Sequence, residues 1–292
     1  MKATMKKTIK STIALSAVAI LGLAGCAESN GDQLVIGSQA YYSNEIVAEV
    51  YAQVLEDAGY SVDRQFALGQ RDVYVPALLA GEVDLFPEYS GNLLQYFDPA
   101  ATATAEDDVY QALQAALPAG LTALALSRAS DQDSYNVTSD FAMKNNLTSI
   151  ADLAGVTGIS LGGPPELAER PYGPSGLLSS YGVTVEFEAT GDTTVESLVA
   201  GLIDLANVYS ADPRIQKLGL VTLTDPEGLF LSSNLVPIAS DAVDQKARDL
   251  ISAVSSAMTA ADLVALNVRS VDEQLSSVVI ARDWLVSKGL ID

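Results

Sequence analysis

An α/β fold in two lobes is what this sequence predicts, and three observations predict it. Apolar runs of strand length alternate with stretches of helical periodicity along most of the chain, the pattern of open sheets flanked by helices. The stretch Ala77 to Gly91, ALLAGEVDLFPEYSG, returns 120 residues later as Ser197 to Ala211, SLVAGLIDLANVYSA, with seven of fifteen paired positions identical. Removing a 25-residue leader from the 292 residues leaves 267, more than one ordinary domain and enough for two cores. Each copy of the repeat reads as a helix end, a glycine suited to the left-handed position after a helix, and a buried strand that delivers a tyrosine and a serine into the next turn. Ligands of open α/β sheets bind beyond the carboxyl ends of the strands, where Tyr89 and Tyr209 are expected to sit, and two such units suggest two lobes facing one another.

The leader comes first. Four lysines among the first ten residues precede the apolar run Ile13 to Leu23, too short for a stable membrane span, and then Leu23-Ala24-Gly25-Cys26. Residues 1–25 read as a signal peptide, and the small residues before Cys26 resemble the bacterial lipobox. That resemblance implies cleavage before Cys26 and lipidation of its thiol. Cys26 is the only cysteine, so no disulfide forms within one chain. Residues 26–33 are a short polar tether.

Leu34 to Gly37 reads as the first strand and ends in Ser38-Gln39-Ala40-Tyr41-Tyr42, a loop at the ligand end of a sheet. Ser43 or Asn44 caps a helix carrying Ile46, Val47, Val50, Tyr51, Val54 and Leu55, which stops at Gly59. Val62 to Leu68 is a second strand, followed by Gly69-Gln70-Arg71-Asp72 and the first repeat. Ser90 is placed to cap a helix over 92–97. A helix over 106–117 and a strand over 121–126 follow. The segment 130–136, SDQDSYN, reads as a polar loop before Val137. Helices are expected over 140–145, 149–153 and 174–180, and strands over 157–161 and 183–187, with Gly162-Gly163-Pro164-Pro165 as a rigid turn. After the second repeat come a helix near 214–218, strands near 220–223 and 235–239, and helices over 241–258, 262–267 and 271–288. The lobes are drawn as 34–136 with 239–292 and as 137–238, joined by two crossings that suit a hinge.

Composition narrows the chemistry. There is no histidine and the one cysteine belongs to the lipid, so Ser-His-Asp and Cys-His sites and His-ligated zinc are excluded. Carboxylate pairs such as Glu82 with Asp84 and Asp131 with Asp133 leave glycosidase-type hydrolysis formally open, but each reads better as a solvated pair. DQDSYN begins like a calcium loop but lacks the sixth-position glycine and has Ala142 at the twelfth. Gly162-Gly163-Pro164-Pro165 has neither a P-loop lysine nor Rossmann spacing. No enzyme activity, cofactor or metal is expected. Once the leader lysines are removed, 12 basic residues face 37 acidic ones, a net charge of about −25. Such a balance repels nucleic acid and favours cations, and it also serves plain solubility.

Tyrosine is the positive signal: twelve against six phenylalanines and one tryptophan. Tyr41, Tyr42, Tyr89, Tyr135 and Tyr209 fall where loops face a cleft. Rings around a quaternary ammonium attract it by about 0.5 to 2 kcal/mol each; ordinary packing is the alternative for any single ring. Arg71, and backbone N–H groups near Gly91 and Asn92, suit a ligand carboxylate.

IGSQAYYSNEIVAEV, LGQRDVYVPALLAGEVDLFPEYSGNLL, DQDSYNVTSDFAMKNNLTSIADLAG and LIDLANVYSADPRI resemble, in order and spacing, the substrate-binding proteins of osmoprotectant ABC importers, which handle glycine betaine, carnitine and choline. The resemblance spans Leu34 to Asp292. It implies a type II periplasmic-binding-protein fold, the Venus flytrap, that closes on ligand and docks on a membrane permease. It also implies a cage of Tyr89, Tyr135 and Tyr209; beyond the resemblance, Arg71 and Ser90 are expected at the polar end of the ligand and Gln39, Tyr41, Tyr42 and Asn234 at the rim. The chain departs from the family where Gln39-Ala40-Tyr41-Tyr42-Ser43 replaces Lys-Asn-Phe-Thr-Glu, where Arg71 follows Gly69-Gln70, and at Leu231-Ser232-Ser233-Asn234. The expected protein is an extracytoplasmic, lipid-anchored monomer that captures a quaternary-ammonium solute. A receptor for another small zwitterion, such as an amino acid, and a structural lipoprotein remain the alternatives.

Overall fold

The computed structural model describes residues 33–292; the leader, Cys26 and the tether through residue 32 lie outside the described residues. The chain begins with β1 (Leu34–Gly37), α1 (Tyr42–Asp57), β2 (Val62–Gln65), α2 (Arg71–Ala80), β3 (Leu85–Tyr89), α3 (Ser90–Phe97), α4 (Glu106–Ala116) and β4 (Leu121–Ala123). It continues with β5 (Asp133–Val137), α5 (Ser139–Asn145), β6 (Ile159–Gly163), α6 (Pro174–Tyr181), β7 (Val185–Ala189), α7 (Thr194–Val199), β8 (Leu205–Tyr209), α8 (Pro213–Lys217) and β9 (Val221–Thr222). It closes with β10 (Leu235–Ser240), α9 (Gln245–Ala257), α10 (Ala260–Val271) and α11 (Ser277–Ser287).

Two five-stranded sheets result, in the orders β2-β1-β3-β10-β4 and β7-β6-β8-β5-β9. In each, the first three strands are parallel and the next is antiparallel to its neighbours. The repeat supplies the central strand of both. Its glycines, Gly81 and Gly201, take φ of 71° and 70°, left-handed values that stop the preceding helix at low cost only without a Cβ. Its aspartates do the same work twice. Asp84 Oδ2 accepts from Val35 N at 2.9 Å while Asp84 N donates to Val35 O; Asp204 Oδ2 accepts from Ser160 N at 3.0 Å while Asp204 N donates to Ser160 O. Each carboxylate thereby joins β3 to β1, or β8 to β6, where the ladder begins.

The first sheet carries helices on both faces. On one, Val47, Val50 and Val54 of α1 pack with Ile251 of α9, Leu263 of α10 and Ile280 and Leu285 of α11. On the other, Tyr74, Phe86, Leu94 and Leu113 form a separate core. The second sheet has its own, around Leu161, Leu177, Leu205 and Phe230. Each such buried side chain contributes roughly 1.5–3 kcal/mol, so each lobe is held together by its own core.

Several expectations change at this level: neither Ser43 nor Asn44 caps α1, which begins at Tyr42 with no side-chain cap, and Gly162 and Gly163 end β6 instead of forming a turn. The polar loop read over 130–136 contains a strand: β5 is buried along its whole length. Its polar side chains escaped a hydropathy reading because they are paired, Ser134 Oγ donating to Val208 O at 2.7 Å and Asn136 Nδ2 to Ser134 Oγ at 2.9 Å. β5 belongs to the second sheet and β10 to the first, so the crossings run through 124–132 and between Phe230 and Leu235, a few residues before the boundaries at 136 and 238 that hydropathy implied. Ser90 is the first residue of α3 and makes no cap; its hydroxyl accepts from Asn234 N at 3.1 Å instead.

Candidate functional site

The two lobes meet on a cleft lined by Gln70 and Arg71 at the start of α2, Asp133 at the start of β5, Pro164, Glu166, Leu167, Arg170 and Tyr172 after β6, and Asn207 and Tyr209 at the end of β8. These are loops and strand ends at the carboxyl edges of the central strands, where the repeat pointed. About 10 Å³ of free space remains between these side chains. A wider groove of about 820 Å³ runs along Thr222 to Phe230, and Asp133 lines both spaces.

Arg71 is buried and its guanidinium is committed. Nε donates to Glu88 Oε1 at 2.9 Å and Nη2 to Glu88 Oε2 at 2.7 Å, a fork-to-carboxylate pair. Burial opposes the Arg71 charge, and Glu88 more than offsets this, holding its pKa well above the ordinary value. Glu88 is itself fixed, accepting from the Tyr74 hydroxyl and from Tyr89 N. Across the cleft, Asn92 on α3 joins the lobes: its Nδ2 donates to Asp133 Oδ2 at 2.7 Å and to the Tyr172 hydroxyl at 3.2 Å, while its Oδ1 accepts from Ser233 Oγ at 2.6 Å. Burial pushes the Asp133 carboxyl up; Asn92, Asn207 and Tyr172 beside it work in the opposite direction.

The antiparallel register sets Asp133 beside Tyr209, so ring and carboxylate arrive together. Tyr209 stacks on Tyr41, with centroids 5.6 Å apart and planes 19° from parallel, and Tyr42 meets Tyr41 edge-on at 6.5 Å. The loop carrying Tyr41 is anchored by Asn44, whose Oδ1 accepts from Gln39 N at 2.8 Å and whose Nδ2 donates to Pro87 O at 2.9 Å. Burial, then Asp133, keeps the Tyr209 hydroxyl protonated far beyond its usual range. Asp131, on the outward crossing, accepts from Ala211 N at 2.8 Å, and burial pushes its pKa up to about 7.

Of the residues singled out from sequence, Arg71 and Tyr209 line the cleft, Tyr41 reaches it only through its stack on Tyr209, and Tyr41 and Tyr42 both pack against the first core. Tyr89 packs in the first core behind Tyr41; its hydroxyl has no hydrogen-bond partner, although Tyr41 and Ser43 lie beside it. Tyr135 points into the second core, against Phe230, and donates to Tyr172 O at 2.5 Å. Ser90 and Asn234 fasten the hinge, Asn234 Nδ2 donating to Ser127 O on the outward crossing at 3.0 Å. Gln39 is buried in the Tyr41 loop.

Residues 32–287 match the family described as the substrate binding domain of ABC-type glycine betaine transport systems. The chain belongs to this family. It is 27% identical over 276 residues to the glycine betaine-binding protein YehZ of Escherichia coli, covering 87% of this chain and 90% of that one. It is 25% identical over 300 residues to a glycine-betaine-binding protein of Pseudomonas aeruginosa, covering 94% of each. Among solved structures, a glycine betaine/carnitine/choline ABC transporter protein superposes with a TM-score of 0.74 at 19% identity, over 89% of this chain and all of that one. Members of the family are substrate-binding proteins of ABC importers, not enzymes, which implies a small ligand, a permease partner and an extracytoplasmic role.

Within this family member, sequence reasoning missed Glu88, Asn92, Asp133, Glu166, Arg170, Tyr172 and Asn207. Asp133 carried a signal: with Tyr135 it alternates against Ser134 and Asn136, a period of two hidden by polarity. Tyr172 offered only its place between Pro171 and Gly173 after a strand.

Proposed function

We propose that the protein is the receptor that captures a quaternary-ammonium compatible solute, of the glycine betaine, choline and carnitine class, in an aromatic cage between its lobes. The observation that carries this reading is the Tyr209–Tyr41 stack next to the buried carboxylate of Asp133. A fully methylated ammonium has no N–H to donate, so ring faces and a nearby anion must hold it. Tyr41, Tyr172 and Tyr209 supply the rings; Tyr42 and Tyr89 back the first, and Tyr135 supports Tyr172 through its backbone carbonyl. Three rings at about 0.5–2 kcal/mol each, together with the carboxylate, approach the roughly 8 kcal/mol of micromolar affinity. The relatives named for glycine betaine support the same ligand class.

Residues 1–25 act as a cleaved signal peptide and Cys26 as the lipidated first residue of a monomer tethered outside the membrane. A Cys26→Ser variant is then expected to lose labelled fatty acid and leave the membrane fraction; retention of both overturns the anchor. The ligand reading is tested by thermal-shift titration against glycine betaine, proline betaine, carnitine, choline, proline and arginine. A ligand that binds only the folded state adds about 2.7 kcal/mol at 100 times its dissociation constant. A shift confined to methylated ammonium compounds is expected. A shift with proline or arginine alone refutes the cage.

A further inference from the structure

Resting on the reading that the cleft takes an alkylated ammonium, we propose that it prefers a solute of net positive charge with a neutral polar end, such as a hydroxyl, over a zwitterion carrying its own carboxylate, and that Asp133 and the Arg71–Glu88 pair set this preference. A ligand carboxylate needs a cation that is free to receive it. Arg71 gives two of its five N–H donors to Glu88, at 2.9 and 2.7 Å, and that carboxylate already balances its charge. Glu88 cannot swing aside, because Tyr74 and the Tyr89 backbone also hold it. A zwitterion reaching Arg71 therefore brings a second carboxylate against a fixed first one. Like charges at that range, out of water, repel strongly.

Asp133 has the opposite vacancy in its chemistry. Its side chain is 3% exposed, it accepts from Asn92 Nδ2 at 2.7 Å, and it forms no ion pair with any described Lys or Arg. Arg71 lies near enough to favour the Asp133 charge but is paired with Glu88, so no cation touches this buried carboxylate; a positive ligand does so directly, and a neutral one does not. The wider balance points the same way. Arg71 and Arg170 stand with Glu88, Asp133 and Glu166, so the cleft carries one more negative than positive charge before Asp131 is counted. A monocation brings it to neutrality, whereas a zwitterion leaves the charge and adds the clash at Arg71. Tyr209, next to Asp133 in the register, presents its ring to the same cation.

The experiment is calorimetric titration of the protein and its Asp133→Asn variant with choline and with glycine betaine, and with proline and arginine as controls. The expected result is choline bound at least tenfold more tightly than glycine betaine by the wild type, about 1.4 kcal/mol. In Asp133→Asn this ratio falls tenfold or more, mostly through weaker choline binding. Equal wild-type affinities overturn the proposal while leaving the ammonium cage intact, and so does an unchanged ratio in the variant. Binding of proline or arginine with neither choline nor betaine overturns the cage as well.

Discussion

Replacing Asp131 with asparagine isolates the cost of one buried charge beside the hinge. Asp131 is 2% exposed on the outward crossing, with its Oδ1 accepting from Ala211 N of the second lobe at 2.8 Å. Burial raises its pKa from 3.8 to about 7; the Ala211 N–H opposes this, and Asp133 and Asp212 add to it. The tyrosines around it, Tyr41, Tyr42, Tyr89 and Tyr209, are all neutral at these pH values. The sign follows from proton counting. Between pH 4 and 7 the folded chain keeps a proton at Asp131 that the unfolded chain has released, so stability is full below about pH 4 and is lost as pH rises through about 7. The gap between 3.8 and about 7 corresponds to about 4 kcal/mol. Asparagine preserves the shape and the acceptor for Ala211 N but carries no charge. Urea unfolding at pH steps from 4 to 8, followed through the single tryptophan Trp284, is expected to show the two proteins alike at pH 4. The variant then gains on the wild type, by about 4 kcal/mol at pH 8, while contributions from the other carboxylates cancel in the difference. A difference that stays within about 0.5 kcal/mol across that range would falsify the assignment of a buried, protonated Asp131.

Glu88→Gln leaves the Arg71 guanidinium buried without its carboxylate and is expected to lower unfolding free energy by about 3–5 kcal/mol; Asp283→Asn, which breaks the exposed Arg269–Asp283 pair at 2.7 Å, should cost under about 1 kcal/mol in the same denaturation assay. Gly91→Ala puts a Cβ 2.6 Å from Ser232 O and 3.0 Å from Leu231 O, backbone atoms of the return crossing, so melting should register a loss of about 1–3 kcal/mol. An unchanged melting temperature there means that the crossing gives way freely. Tyr209→Ala removes the ring that joins Tyr41 to Asp133, and titration with the best ammonium ligand should show at least about a tenfold weaker affinity with an unchanged circular dichroism spectrum. Wild-type affinity in that variant removes Tyr209 from the cage.

The local grammar of the fold was open to reading from the chain alone. Gly81 and Gly201 announce helix ends because only a residue without Cβ takes φ near 70° cheaply, and they do so wherever the rest of the chain lies. The apolar runs after them declare buried strands, and their shared sequence predicts that β3 and β8 occupy the same place in two similar sheets. The absence of histidine by itself excludes whole classes of catalysis. The quoted segments from IGSQAYY to LIDLANVYSADPRI, by their order and spacing, reached the family.

What the chain could not declare is which polar group meets which across long separations. Arg71 looked available for a ligand because nothing local in GQRDV pairs with it; its partner stands 17 residues away, on the far side of a helix and a glycine turn. Asp133 looked like solvated loop because a polar strand is stable only when other segments satisfy it, as Val208 O satisfies Ser134 and Asn92 satisfies Asp133. Tyr135, in the middle of β5, and Tyr209, at the end of β8, are equally aromatic, yet one fills a core and the other faces the cleft. Local sequence specifies periodicity, turn chemistry and strand direction, since those depend on neighbours within a few residues. Tertiary structure decides pairing, burial and facing, since the energy of a buried charge or ring is set by groups the chain brings back from 17 to 141 residues away.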